Sequence, residues 1–189
     1  MPETPVAQQR VLDAAARKGV TLEIVTFPES THTAAEAAAA IGAEVAQIVK
    51  SLVFVALGDD GELTPYLALA SGANRVDLGR LAAVLGASGL RRATADEARA
   101  LTGFVIGGIP PIGHSRAIRT VMDPDLGRFQ TVWAAAGTPT AVFAVPPGTL
   151  RTLANATVAP IAAEGLDAGA PRPATEPASS PAGPAPSGA

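Results

Sequence analysis

Two apolar runs, Leu52–Leu57 and Leu63–Ala70, are separated only by the turn Gly58-Asp59-Asp60-Gly61 and Glu62. Each run is short, rich in branched and aromatic side chains, and bounded by turn formers, which is the signature of a buried strand. So short a connection, built on two glycines and two aspartates, leaves room for a reversal and nothing else, so the two strands must be antiparallel neighbours. A hairpin needs no helical crossover. Placing one at the centre of the chain excludes an all-parallel, doubly wound sheet.

The flanking segments alternate between helix and strand without a regular βαβ spacing. Val6, Gln9, Leu12 and Ala16 predict an amphipathic helix over 6–18, ended by Gly19. Val20–Phe27 alternates as a strand. Thr33-Ala-Ala-Glu36 and Thr94-Ala-Asp-Glu97 are capping boxes that open helices ended near Gly42 and Gly103. Asp77 is a candidate N-cap for a helix to Leu85, and Glu44–Val49 reads as a short helical turn. Further strands are expected at Leu90–Ala93, Phe104–Ile106, Ala117–Met122, Thr131–Ala135 and Thr140–Val145, with a turn at Asp123-Pro124-Asp125. Pro147–Ala154 reads as a last helix with proline in its first turn. The expected fold class is α+β: a mixed, barrel-like sheet surrounded by helices, in one domain over 5–163. Residues 164–189 are dominated by Ala, Pro, Gly and Ser and read as a disordered tail, because they bury too little to offset ordering entropy.

Aromatics are 4% of a chain that is 48% apolar, so the core must be aliphatic. There is no cysteine, which removes disulfides and protein thiolates and fits a reducing, cytoplasmic setting. Met1–Arg10 has no basic segment followed by an apolar one, so no signal peptide is expected. No run is long enough to span a membrane. The net charge of −3 argues against an extended phosphate-binding surface of the DNA-binding kind, though not against a local basic patch gripping one RNA end. With only His32 and His114 and no cysteine, no metal-ligand cluster and no cofactor is expected.

Chemistry concentrates at Gly107-Gly108-Ile109-Pro110-Pro111-Ile112-Gly113-His114. The prolines stiffen the loop and the glycines expose backbone N–H groups, an arrangement suited to holding an oxyanion or phosphate oxygen. A tight turn is the competing reading. His114 is either a substrate contact or a loop histidine bonded to backbone. His32 belongs to the start of a helix or touches substrate. Only Lys18 and Lys50 are lysines among many arginines. Lys50 stands at the mouth of an apolar strand, either snorkelling to water or aiming an ammonium into a pocket. The arginine pairs Arg91-Arg92 and Arg116/Arg119 are solvated charges or RNA-backbone contacts.

Three segments in order resemble the YbaK/EbsC family of free-standing aminoacyl-tRNA deacylases, related to the editing domain of bacterial prolyl-tRNA synthetase. They are Gln47-Ile48-Val49-Lys50-Ser51-Leu52-Val53-Phe54, the loop Gly107–His114, and Trp133-Ala134-Ala135-Ala136-Gly137-Thr138-Pro139 followed by Ala141-Val142-Phe143. The resemblance spans roughly residues 6–155. It implies hydrolysis of the ester joining a wrong small amino acid (Ala, Cys, Ser or 2-aminobutyrate) to tRNA, chiefly tRNA for proline. It implies Lys50, Gly107 and Gly108 as catalytic residues. As substrate contacts it implies Ser51, Pro111, Gly113, His114, Gly137 and Thr138, to which the residues themselves add His32 as a candidate. The acceptor end of aminoacyl-tRNA is the implied partner, with prolyl-tRNA synthetase as a second. The third segment carries Thr138 where some members have serine or histidine. The alternative reading is a non-catalytic module that senses an aminoacyl end, an amino acid or a nucleotide.

Overall fold

The structure is a computed structural model and describes residues 5–28, 33–58 and 61–164. Asp59 and Asp60 of the expected turn, His32, and residues 165–189 of the expected tail lie outside the described residues. The hairpin forms as the sequence demands: β2 (Ile48–Leu57) pairs antiparallel with β3 (Leu63–Ser71) over Val49↔Ser71 to Leu57↔Leu63. Around it lie β1 (Ile24–Thr26), β4 (Arg91–Arg92), β5 (Arg119–Met122), β6 (Val132–Ala135), β7 (Ala141–Val145) and β8 (Thr157–Val158). The order is β1-β7-β6-β2-β3-β5-β8, with β4 on β2. Parallel β2–β6, β3–β5 and β5–β8 pairs combine with antiparallel ones, so the sheet is mixed and the class is α+β.

The five helices are α1 (Val6–Ala16), α2 (Ala34–Ile41), α3 (Leu78–Leu85), α4 (Ala95–Thr102) and α5 (Pro147–Ala154). Their ends are set locally. Thr33 Oγ1 accepts from the Glu36 N–H at 3.1 Å, and Asp77 Oδ1 from the Arg80 N–H at 2.9 Å. Thr94 and Glu97 close a reciprocal capping box. On β2 the side chains alternate between two cores. Val49, Val53 and Val55 face the main core with Leu67 and Leu69 of β3, Phe143 of β7 and Val11 of α1. Phe54 faces the other way, with Ala68, Leu81 and Leu85 under α3. Inner faces from β1, β2, β3, β5, β6 and β7 all reach the main core, which gives the sheet its wrapped, barrel-like form.

Three expectations are corrected. Phe104–Ile106 is not a strand: Phe104 is buried, but Val105 and Ile106 are exposed, and the Gly108 N–H donates to Val105 O at 3.0 Å, closing a turn instead of a ladder. The first strand is confined to Ile24–Thr26, because β7 is its sole partner. The turn at Asp123 opens a 3-10 helix, Pro124–Arg128, with Asp123 as its cap.

Candidate active site

The sheet opens at one place. β6 pairs with β2 only at Ile48 and Val49, and β4 only at Phe54 and Val55. Between them the edge of β2 faces a cavity of about 320 Å³, at the small end of ligand pockets, which run from about 300 to 1,000 Å³. Lys50, Ser51, Arg92, Trp133 and Gly107 line it, and Ala34, Ala37, Ala93, Ala98, Ala135 and Ala141 give it room. Alanine at these positions is what keeps the hollow from being filled by larger side chains.

Lys50 is half-buried and donates from Nζ to Gly72 O at 3.1 Å and to Asn74 O. Burial, then the Arg75 and Arg92 charges, push its pKa below the usual lysine value, while Asp123 opposes them. Two carbonyl acceptors hold the amine where its remaining valence can meet a ligand. Ser51 stands beside it; its Oγ is buried without a hydrogen-bond partner.

The glycine–proline loop divides by role. Gly107 lines the cavity with φ +89, in the third position of the turn closed by Gly108, where a left-handed residue is needed. Gly108 does not line it, and its N–H is already used by Val105 O. It is glycine because a Cβ there would fall 2.7 Å from the Thr138 backbone. Gly108→Ala is therefore expected to cost about 1–3 kcal/mol as overpacking. Thermal unfolding followed by circular dichroism checks this; an unchanged midpoint would contradict the close approach.

Pro111, Gly113, His114, Gly137 and Thr138 are not among the cavity-lining residues. His114 Nε2 bonds Pro110 O at 2.8 Å, and its ring meets Phe104 edge-on at 6.1 Å between centroids. Burial lowers its pKa, the Pro110 carbonyl raises it, and Arg10 lowers it. Gly113 O accepts from Arg10 at 2.8 Å, Gly137 abuts the Ala7 backbone, and Thr138 Oγ1 accepts from Gln8 Nε2 at 3.4 Å. Pro111 is buried behind the loop. The structure thus brings Lys50, Ser51 and Gly107 together and leaves the other six described residues off the cavity wall: Gly113, Gly137 and Thr138 against α1, Gly108 against Thr138, His114 against Pro110 and Phe104, and Pro111 buried within the loop.

A family model described as the aminoacyl-tRNA editing domain matches residues 28–153. The chain belongs to this family. It is 34% identical over 95 residues to the proline–tRNA ligase of Limosilactobacillus fermentum, covering 50% of this chain and 17% of the ligase. It is 30% identical over 125 residues to the uncharacterized protein YwhH of Bacillus subtilis, covering 66% of this chain and 76% of that protein. Among solved structures, a candidate trans-editing enzyme for prolyl tRNA synthetase superposes with a TM-score of 0.77 at 48% identity, covering 86% of this chain and all (100%) of that one. The chain thus spans a small part of the ligase and the whole of the free-standing structure. Among the described residues no helix is long and apolar enough to cross a membrane, and no group of three or more His, Cys, Asp or Glu is placed to hold a metal.

In this editing domain one functional feature escaped the sequence reading. Asp123 is 0% exposed and accepts from Asn74 Nδ2 at 2.8 Å, from the Asp125 N–H at 3.0 Å and from the Ser71 N–H at 3.3 Å. Asn74 Nδ2 also reaches Asp125 Oδ2 at 2.8 Å. The Asn74 carbonyl is one of the two that hold Lys50. Asp123 therefore fixes the turn that fixes the lysine. The Asp-Pro-Asp spelling reads as a turn, and only the third dimension shows what the turn braces.

Proposed function

We propose that this chain is a trans-editing hydrolase that deacylates mischarged tRNA, chiefly tRNA for proline carrying a small wrong amino acid. The observation that carries the reading is the small, alanine-lined cavity with Lys50 and Gly107 in its wall. Water adds to the ester carbonyl, the carbonyl oxygen becomes an oxyanion, and the ester C–O bond breaks. The free amino acid leaves and the terminal ribose hydroxyl keeps a proton. The Lys50 ammonium and the Gly107 N–H supply positive charge and a donor to the developing oxyanion. Among the described residues the lining includes no carboxylate and no histidine, and in this reading the attacking water loses its proton with help from the substrate, through a ribose hydroxyl or the amino acid's own group. The acyl group has to share this cavity with the ribose it is joined to, so small side chains are favoured over large ones, which suits a second sieve: one methylene gives only about 1–3 kcal/mol of discrimination at a synthetic site.

The test is ester loss from tRNA for proline charged with alanine, serine, cysteine, 2-aminobutyrate or proline. Hydrolysis of at least one small wrong amino acid, with prolyl-tRNA spared, is expected. The lack of an acid or base in the lining also suits a sensing module; absence of turnover on the whole panel at high protein would favour that reading.

A further inference from the structure

The edge of β2 inside the cavity has an unsatisfied hydrogen-bonding pattern. The Gly72 N–H donates to Ile48 O at 2.7 Å, which sets the alternation of the ladder: even-numbered residues of β2 exchange bonds with β3, and odd-numbered ones turn their N–H and C=O to the opposite edge. On that edge Val49 lies against Ala134 of β6, and Val53 O accepts the Ala93 N–H at 3.0 Å. Ser51 falls between the two. Its N–H and C=O face the opening with no strand among the described residues beside them, its Oγ is buried without a partner, and it lines the cavity. A buried hydroxyl without a partner is rare, and main-chain groups of one residue left unpaired inside a sheet are a ready site for a ligand with matching donors and acceptors.

An α-aminoacyl ester carries the complementary pair. Its α-ammonium donates, its carbonyl oxygen accepts, and one carbon separates them, as in a single strand residue. We infer that Ser51 binds the aminoacyl group as a one-residue antiparallel strand: Ser51 C=O accepts from the α-ammonium and Ser51 N–H donates to the ester carbonyl oxygen. Directly opposed residues in such a pair put their side chains on the same face. The amino acid's side chain then lies on the Ser51 side of the sheet, the side of Val49 and Val53, where space is small. The main chain thereby places the carbonyl for attack and supplies a donor for its oxyanion alongside Gly107. This inference rests on the editing reading.

Three esters of the same tRNA test it: alanyl, lactyl (a hydroxyl for the ammonium) and propionyl (neither group). Each rate is divided by the uncatalysed rate in the same buffer, which removes differences in intrinsic ester reactivity. The acceleration is expected to fall about tenfold from alanyl to lactyl, as a charge-assisted bond becomes a neutral one, and further for propionyl. The Ser51→Ala variant is expected to be slower yet to keep this order, because the main chain carries the pairing. Equal accelerations for the three esters in the wild-type protein overturn the pairing while leaving the editing reading intact. Loss of the order in Ser51→Ala moves the recognition to the hydroxyl and likewise overturns it. No hydrolysis of any ester removes the editing reading and the pairing together.

Discussion

Replacing Lys50 with methionine is expected to lower single-turnover deacylation by about 10²–10³-fold, the usual loss when one donor to an oxyanion is removed, with the fold retained. Methionine keeps the apolar stem against the cavity wall and deletes the charge. Two carbonyl acceptors, Gly72 O and Asn74 O, lose their donor, but relief of the ammonium's desolvation offsets part of that loss. The melting midpoint should therefore move far less than the rate. Lys50→Arg should not rescue activity, because a planar guanidinium fits neither the two carbonyls nor the space available to a point charge. Near-normal turnover by Lys50→Met would remove the lysine from the chemistry.

The second large effect is expected from Asp123→Asn, and it has two parts. Asparagine presents an NH2 where a buried carboxylate accepts three bonds, so one donor is left facing another. About 1–3 kcal/mol of stability should be lost, seen as a fall of several degrees in the melting midpoint. The other part is electrostatic. Asp123 raises the Lys50 pKa, and Arg92 lowers it. Activity that needs the ammonium is lost as pH rises through that pKa. Without Asp123 the pKa drops further, so the alkaline fall in rate should begin at lower pH than in the wild type. Arg92→Gln should move it the opposite way. A purely structural role for Asp123 would lower stability and leave the alkaline limb in place.

Local signals made much of this fold legible. Gly58–Gly61 dictated the hairpin, Thr94 with Glu97 and Asp77 dictated helix starts, and Gly103 a helix end. Each acts within a few residues of itself. The gap in the sheet was not legible, because it depends on where β6 and β4 stop along β2, and those strands lie some 40 to 85 residues away in the chain. For the same reason Asp123 read as a turn former: its partners Ser71 and Asn74 are 52 and 49 residues distant. Lys50 and Gly107 were singled out because an ammonium among apolar residues and a glycine-rich loop are unusual on their own. Gly113 and His114 draw attention as part of that loop, and Gly137 and Thr138 only through the family resemblance; the neighbours of all four are the backbone and side chains of α1 and of the loop itself.

Arg10 of α1 donates to the carbonyls of Thr102, Gly103 and Gly113, and its guanidinium lies 4.3 Å from the Phe104 ring centre. The match to the family starts eighteen residues later, at Phe27's neighbour Pro28. A protein trimmed to that boundary would keep the residues that line the hollow but lose the clasp on the segments flanking Gly107, and with α1 and β1 it would lose Val11, Ala15 and Leu22 from the main core. Its expected defect is therefore a destabilised barrel together with a looser Gly107 loop, so the amino-terminal helix belongs to the working unit even though the family model's match begins after it.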